Sequence, residues 1–454
     1  MGFWNTIKKA VKTVVKAVDP NKYGNSGNNT LQVNVWGKAY GYDGNDTLRA
    51  YALKAELYGG NGNDSLYSKS GKAILDGGNG NDYINAYGLS NTIKAGSGND
   101  TVRARAASNN IWAGTGNDKV YAWGGKNKVR GENGHDYLEV WGLKNYIHGG
   151  GHNDTIKARA ADNDIYGGWG NDKIYAWGGK NRVRGEDGND YIEVWGASNT
   201  ISGGNGNDTI KARAASNKIW AGNGNDKVYA WGGKNTVRGE NGDDYLEVWG
   251  FKNYIHGGND NDTIKARAAD NDIYGGHGND KINAWGGSNR VRGEDGNDTV
   301  EAWGASNRIW AGKGRDTIKA YGASNIIDSN DDGLADNIYV GGAYNKIYAG
   351  WGSDKITAKG AYNDIYAGSG NDTIKGEGGY NDIYAGKGYD NIEAYGGANV
   401  IDANDDGLWD KIIAGGGANV INTGNGSDRI EAYGGANVIN AAHGHNKIIA
   451  GGGA

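Results

Sequence analysis

An aspartate recurs at a fixed interval through most of this 454-residue chain. From Asp46 to Asp316 it returns every eighteen residues, and the same interval separates Asp410 from Asp428. Each aspartate closes a glycine-rich segment such as 203–208, and a large apolar residue follows two positions later. Carboxylate oxygens and the main-chain carbonyls of glycine-rich turns are ligands that calcium prefers. The spacing therefore predicts a column of calcium sites along the chain.

The candidate calcium ligands fall into two groups. In units of eighteen residues they are Asp46, Asp64, Asp82, Asp100, Asp118, Asp136, Asp154, Asp172, Asp190, Asp208, Asp226, Asp244, Asp262, Asp280, Asp298, Asp316, Asp354, Asp372, Asp390 and Asp428. Two units of twenty residues carry the spacing D-x-N-x-D-G, which is that of the first half of an EF-hand loop. Their candidates are Asp328, Asn330, Asp332 and Asp336 in one unit, and Asp402, Asn404, Asp406 and Asp410 in the other.

Stacking such units would bring like charges close together. Carboxylates about 4.8 Å apart repel one another by roughly 3–4 kcal/mol at an effective dielectric of 20. A divalent cation between successive turns removes this repulsion, so we expect the metal-free chain to be largely disordered and to fold on binding calcium. In the alternative, each carboxylate accepts turn N–H groups or pairs with the next lysine, as Asp118 could with Lys119.

A glutamate replaces a turn glycine in every third unit of the central region, and its role has two interpretations. It either adds a calcium ligand or pairs with the arginine two residues before it. The pairs concerned are Arg130 with Glu132, Arg184 with Glu186, Arg238 with Glu240, and Arg292 with Glu294.

Each eighteen-residue unit divides into two halves, as in residues 209–217 and 218–226. Apolar and small residues alternate with polar residues in each half, which indicates a β-strand with one face inward. Two short strands and two turns per coil predict an all-β fold, a parallel β-roll or β-solenoid of about 23 coils over residues 25–454. An asparagine ends the first half in an unbroken series from Asn91 to Asn437, which predicts a structural ladder of side-chain amides. We expect the array to continue beyond Ala454.

Residues 1–24 differ from the array and predict an amphipathic helix that ends at Pro20. One interpretation is a cap over the open end of the core, which repeat proteins need for solubility. Another is a basic helix lying in an anionic membrane surface, and Met1-Gly2 with Thr6 also fits a myristoylation pattern. The candidate membrane contacts are Phe3, Trp4, Lys8, Lys9 and Lys12.

A column of outward aromatic and basic residues crosses the central coils. We call it the Trp–Arg strip; it consists of Arg105, Trp123, Trp141, Arg159, Trp177, Trp195, Arg213, Trp231, Trp249, Arg267, Trp285 and Trp303. Arginine over tryptophan is a favourable cation–π contact. The strip is either a self-stacking ladder that straightens the roll or an exposed surface for a glycan, a membrane headgroup or another copy of the chain.

Composition excludes several classes of protein. The chain has no cysteine, so disulfides and thiolate metal sites are absent, and a net charge of −5 argues against nucleic-acid binding. No apolar run approaches the roughly 20 residues of a transmembrane helix, and lysines interrupt the N-terminal segment in a way that cleaved secretory signals do not. No catalytic arrangement of serine, histidine and aspartate can be assembled. We therefore expect a non-enzymatic protein.

The aspartate nonapeptides resemble those of secreted repeats-in-toxin (RTX) proteins over nearly the whole chain after residue 40. A narrower resemblance is to the N-terminal arm of the multifunctional-autoprocessing (MARTX) toxins, on the segments 1–4, 342–345, 396–399 and 434–437. The resemblance implies type I secretion, folding on calcium outside the cell and a repeat arm that engages a eukaryotic membrane. The chain lacks the effector and protease domains of those toxins. The alternative is an extracellular scaffold or adhesin that binds glycans or self-associates through the Trp–Arg strip.

Overall fold

The computed structural model describes residues 20–330, 332–404 and 406–452. The predicted helix lies outside the described residues as far as residue 19, and Lys22–Tyr23 already forms the first strand. The chain divides into two units, residues 1–214 and 215–454. Within the described parts, no helix has the length and apolar character needed to cross a membrane.

In the first unit, the strands begin with five short ones and continue with strands of fifteen residues. They are β1 (Lys22–Tyr23), β2 (Thr30–Val33), β3 (Trp36–Asp43), β4 (Thr47–Ala50), β5 (Lys54–Asn61), β6 (Ser65–Asn79), β7 (Tyr83–Ser97), β8 (Thr101–Thr115), β9 (Lys119–Asn133), β10 (Tyr137–Gly151), β11 (Thr155–Trp169), β12 (Lys173–Asp187) and β13 (Tyr191–Asn205). The next strand, β14 (Thr209–Asn223), contains the boundary between the two units.

The strands of the second unit follow the same plan. They are β15 (Lys227–Asn241), β16 (Tyr245–Asn259), β17 (Thr263–His277), β18 (Lys281–Asp295), β19 (Thr299–Lys313), β20 (Thr317–Asp328), β21 (Asn337–Tyr348), β22 (Lys355–Ser369), β23 (Thr373–Lys387), β24 (Asn391–Asp402), β25 (Lys411–Gly424), β26 (Arg429–Ala441) and β27 (Lys447–Gly451).

Neighbouring strands are parallel and in register with a shift of one coil. In β10 and β11, Tyr137 pairs with Thr155 and the same alignment holds to the end of both strands. The predicted fold class is confirmed: the described chain is a parallel β-solenoid of about 24 turns. The coil differs from the prediction in one respect, because a single long strand replaces the two short ones. The alternation of buried and exposed residues shifts between Val140 and Asn145, which marks a bend just before the asparagine, and pairing with β11 lapses there only at Gly142 and Leu143.

The core is built from the inward side chains of successive strands. Leu138, Val140 and Ile147 of β10 are fully buried, and alternate residues of the same strand point outward. A single coil covers little of its own apolar surface, so the coils on either side complete the burial. Stability is therefore close to a sum over coils and over the interfaces between neighbouring coils.

The asparagine ladder at the bend is confirmed. The Asn145 amide nitrogen donates to Asn163 Oδ1 at 3.0 Å and to the carbonyl of Val140 at 3.1 Å, and Asn145 Oδ1 accepts from Asn127 at 2.9 Å. Asn145 is fully buried, so these bonds replace water for both ends of the amide. The ladder explains why the strand bends here without losing its neighbours.

Candidate metal centre

The opposite edge of each coil carries the predicted aspartate, and we call this segment the Asp corner. The chain turns between β10 and β11 at residues 152–154, and Asp154 is the last residue of this turn. Asp154 Oδ1 accepts the main-chain N–H of Asp136 from the preceding coil at 2.7 Å. The Asp154 N–H donates in turn to Asp172 Oδ1 at 2.7 Å. One oxygen of each aspartate therefore links its turn to the turn before it.

The second oxygen of these aspartates is buried and has no hydrogen-bond partner among the described residues. The side chains are almost completely inaccessible to solvent, with Asp154 only 1% exposed. The aspartates with such an Oδ2 atom include Asp46, Asp64, Asp82, Asp100, Asp118, Asp136, Asp154, Asp172, Asp190, Asp244, Asp262, Asp280, Asp298, Asp316, Asp354, Asp372, Asp390 and Asp428. An ionised oxygen in this position costs several kcal/mol unless a cation or a proton neutralises it.

Main-chain carbonyl oxygens lie beside these unpartnered carboxylate oxygens. A Cβ at position 149 would overlap both Asp154 Oδ2 and the carbonyl oxygen of Gly167 in the next coil, so these two oxygens face the space that the glycine leaves open. The adjoining Gly150 has a φ of 127°, and a Cβ there would overlap the carbonyl oxygen of Glu132. Glycine is therefore required at position 150, and its neighbours leave carboxylate and carbonyl oxygens facing a common space.

Burial raises the pKa of aspartates in the Asp corners. It raises the pKa of Asp154 to about 9; the N–H of Asp136 opposes the shift, and the Asp136 and Asp172 carboxylates add to it. Burial likewise raises the pKa of Asp100 to about 8. In the metal-free fold these two carboxyl groups therefore favour the protonated form near neutral pH, because burial penalises their charge. A bound cation would reverse this preference.

The donor set fits a hard cation. Among the described residues, no three histidine, aspartate or glutamate side chains converge on one point. A cation at the Asp corner would therefore take most of its ligands from main-chain carbonyls, with the unpartnered Oδ2 atoms as the charged ligands. This oxygen-only set matches calcium and magnesium better than metals that favour nitrogen or sulfur. The alternative interpretation, in which each aspartate only accepts main-chain N–H groups, accounts for its Oδ1 atom. It gives no role to the buried Oδ2 atom.

The two twenty-residue coils form local loops. In the first, Asp332 Oδ2 accepts the N–H of Gly314 at 2.6 Å and Asp332 Oδ1 accepts the N–H of Leu334 at 2.9 Å. In the second, Asp406 makes the equivalent bonds to Gly388 and Leu408, at 2.8 and 2.9 Å. Backbone N–H groups thus already hold more than one carboxylate of each loop, since Asp328 and Asp402 also accept the N–H groups of Asn330 and Asn404. Calcium binding by Asp328, Asn330, Asp402 and Asn404 stays a prediction.

The structure gives the backbone conformation of the four glutamates that occur in every third coil of the central region. Their φ values of 79–84° lie in the left-handed region, which costs about 1 kcal/mol for a residue with a side chain. Two of the arginines suggested as partners pair with aspartates instead, since Arg184 lies 3.8 Å from Asp164 and Arg292 lies 3.2 Å from Asp272. A role for the glutamates as calcium ligands stays open.

Arginine and tryptophan side chains stack in the Trp–Arg strip, as the sequence predicts. In the first unit, the Arg159 guanidinium lies 5.0 Å from the Trp141 ring and 4.8 Å from the Trp177 ring. The second unit repeats this sandwich, with Arg267 at 4.9 Å from Trp249 and 4.8 Å from Trp285. Both interpretations of the strip keep support, because the rings stack and yet Trp141 and Trp249 are each 40% exposed.

Carboxylates fix the orientation of some indoles in the strip. Trp195 Nε1 donates to Glu193 Oε1 at 3.1 Å, and the Tyr191 hydroxyl donates to Glu193 Oε2 at 2.9 Å. Trp303 is held in the same way by Glu301 at 2.9 Å. The candidate contacts Phe3, Trp4, Lys8, Lys9 and Lys12 lie outside the described residues.

One cluster was not predicted from the sequence. Tyrosines and charged residues of β21, β22 and β23 form a compact group on the outward face that follows the asparagine bend. Its signal was present as tyrosines eighteen residues apart, from Tyr344 to Tyr380. That spacing becomes informative only when it is known which outward side chains stack on one another.

Fold and site together define a calcium-binding type of parallel β-roll, with one carboxylate per coil and carbonyl-rich turns. The family model of the RTX calcium-binding nonapeptide repeat matches residues 58–138, 148–210, 212–246 and 256–454. The chain therefore belongs to the RTX calcium-binding nonapeptide repeat family. No curated protein matches the chain.

Proposed function

We propose that this chain is a non-enzymatic, calcium-dependent β-roll of a secreted bacterial protein. Calcium would bind at the Asp corners between successive coils, held by the Oδ2 atoms and the turn carbonyls. The ion supplies positive charge that allows the buried carboxylates to ionise within the fold. The observation that carries the proposal is the column of buried carboxylate oxygens without hydrogen-bond partners.

Calcium-dependent folding would suit export. A chain that stays unfolded where calcium is scarce can pass through a narrow secretion channel, and folding then follows in the calcium-rich exterior. RTX repeats and this fold support secretion by a type I system and an extracellular location. Two observations support folding that is coupled to calcium binding. The chain belongs to a calcium-binding repeat family, and each coil buries few large apolar side chains.

The test is circular dichroism of the metal-stripped chain during a calcium titration. We expect little β-structure in excess chelator at pH 8, and a cooperative gain as calcium rises. Sodium chloride at the same ionic strength is the control for simple ionic screening. A metal-stripped chain with full β-structure at pH 8 would contradict the proposal.

At a finer level, we propose that the chain forms a repeat arm of a MARTX-like toxin that contacts the target membrane. The support is the basic amphipathic pattern of residues 1–24 together with the resemblance of the repeats. Liposome flotation of the full chain and of a variant lacking residues 1–20 tests it. Equal flotation of both forms would exclude a membrane role for the N-terminal segment.

The stacked geometry of the strip favours a second candidate, an extracellular scaffold or adhesin. The indoles are held by arginines and glutamates, so the strip is a rigid and partly exposed surface that loses little entropy on binding. Binding to a glycan array, or concentration-dependent association, that is lost in the variant with Trp141→Ala and Trp177→Ala would support this candidate. Unchanged binding would exclude it.

A further inference from the structure

Three consecutive coils of the second unit share a pattern of tyrosine and charge on one outward face. We call this group the tyrosine patch. It consists of Tyr344, Lys346 and Tyr348 in β21, Tyr362, Asp364 and Tyr366 in β22, and Tyr380, Asp382 and Tyr384 in β23. The register of the strands aligns the three sets, so two tyrosine columns flank a central row of lysine and aspartates.

Both tyrosine columns are stacked. Tyr348, Tyr366 and Tyr384 have successive ring centroids 4.9 Å apart, with planes inclined by 14° and 3°. In the other column, the Tyr362 ring lies 5.3 Å from that of Tyr344 and 5.0 Å from that of Tyr380. Stacking on this scale makes the walls of the central row rigid.

Lys346 shows what kind of group the central row accepts. Its Nζ lies 3.2 Å from Asp364 Oδ2, and it is 5.2 and 5.4 Å from the ring centroids of Tyr348 and Tyr366. The Tyr348 hydroxyl and, after it, Asp364 raise the pKa of Lys346, so its ammonium stays charged. An ammonium is thus already bound between one carboxylate and two tyrosines.

The next position along the row has no such ammonium. Asp382 Oδ1 and Asp364 Oδ1 are both buried without a hydrogen-bond partner among the described residues, and Asp364 is only 7% exposed. Burial, reinforced by the charge of Asp364, raises the pKa of Asp382. The residue paired with Asp382 in the following coil is Val400, which offers no charge. The internal lysine therefore contacts Asp364, whereas the residue that follows Asp382 in register carries no charge.

We propose that Asp382, with Asp364 and the tyrosines beside them, binds an alkylammonium group from outside the chain. Asp382 lies between Tyr380 and Tyr384 as Asp364 lies between Tyr362 and Tyr366, but the residues that follow in register are Ala398, Val400 and Asp402, which supply no ammonium. A lysine side chain of a partner protein and a free polyamine share the required chemistry. An ammonium needs few acceptors and gains from neighbouring rings, whereas a metal would find no third acidic or histidine ligand among the described residues.

The site is separate from the Asp corners, although Asp402, a candidate ligand of the second twenty-residue loop, pairs in register with Tyr384. Asp382 lies within β23, whereas the Asp corners adjoining this strand end in Asp372 and Asp390. Ligand-observed proton NMR can therefore follow the site in the full chain at saturating calcium. The probes are Nα-acetyl-lysine methylamide for the side chain, cadaverine for a free amine, and Nα-acetyl-norleucine methylamide as the neutral control.

Three substitutions make the test specific. Asp382→Asn should weaken binding of both amines at least tenfold. Val400→Lys should do the same, because the new lysine occupies the site internally, and it should also raise the thermal midpoint of unfolding. The matched control is Val420→Lys, whose neighbours in register are Val400 and Val438, so it should leave amine binding unchanged.

Both directions of the outcome are informative. Line broadening of the two amines, but not of the norleucine compound, supports the site, and the tighter of the two amines identifies the source of the ammonium. Equal broadening by all three probes, or equal binding by Asp382→Asn and wild type, would overturn the proposal. Displacement of the amines by calcium in excess of that needed for folding would show a metal site instead.

Discussion

The pH dependence of the metal-free chain is the sharpest test of the Asp corner. We expect acidification to induce β-structure in the absence of calcium. The pKa of Asp82 is raised to about 7, that of Asp100 to about 8 and that of Asp154 to about 9, chiefly by burial. The fold then holds more protons than the unfolded chain between about pH 4 and pH 8, so its free energy of unfolding rises as the pH falls.

The size of the effect can be worked from one residue. For a carboxyl group such as Asp100, lowering the pH from 8 to 5 adds about 4 kcal/mol, at about 1.4 kcal/mol for each unit. Neighbouring carboxyls titrate as coupled groups, so about 4 kcal/mol is an upper bound for one coil and the values of successive coils do not simply add. A few such coils still contribute on the scale of the stability of an ordinary domain, about 5–15 kcal/mol.

The assay is far-ultraviolet circular dichroism of the chelator-treated chain from pH 9 to pH 5. Hydrogen exchange of peptides from β7 to β9 adds a local measure, and a variant with Asp82, Asp100 and Asp118 changed to Asn should lose the pH dependence there. With calcium bound, acidification should instead weaken the fold, because protons compete with the ion. Loss of β-structure on acidification of the metal-free chain would refute the reasoning.

Three further predictions concern the calcium-saturated chain and are checked by urea unfolding. Asn145→Ala should cost roughly 2–4 kcal/mol because it leaves buried amide partners unpaired, whereas Asn133→Ala, on the surface, should be close to neutral. Arg159→Gln should cost about 1 kcal/mol through lost cation–π contacts, and a destabilisation below the error of measurement would contradict the stacked geometry. Gly150→Ala should cost more than 2 kcal/mol because of strain at positive φ; the control Gly341→Ala, at ordinary φ, should cost much less.

The repeat determines how much of the fold can be predicted. The interval between aspartates fixes the coil length, so the parallel array and the position of the Asp corner follow directly. The asparagine series predicts the ladder that Asn145 and its neighbours form. The continuous strand around that bend was not predicted, since its persistence depends on hydrogen bonds between coils that a single unit does not reveal.

The unpredicted features involve outward residues. Nothing in one coil marks Asp364 or Asp382 as unusual, because an aspartate on an exposed face normally meets water. Asp364 is buried and Asp382 half-buried between stacked tyrosines, and this stacking requires the alignment of three coils. Titration of the Asp corners is a similar case, because burial raises the pKa of Asp154 only after neighbouring turns have closed over it.

The alignment between coils also limits how the molecule can change in length. Most side-chain hydrogen bonds between coils join residues eighteen positions apart. The coil of twenty residues ending at Asp336 keeps this link, because the Asp316 N–H donates to Asp336 Oδ1 at 2.8 Å. Extra residues are therefore tolerated where they bulge at a turn, whereas an insertion inside a strand would misalign every inward side chain after it. Gene duplication or deletion can thus add or remove whole coils without designing a new core, and blocks of fifty-four residues would in addition preserve the order of the outward side chains.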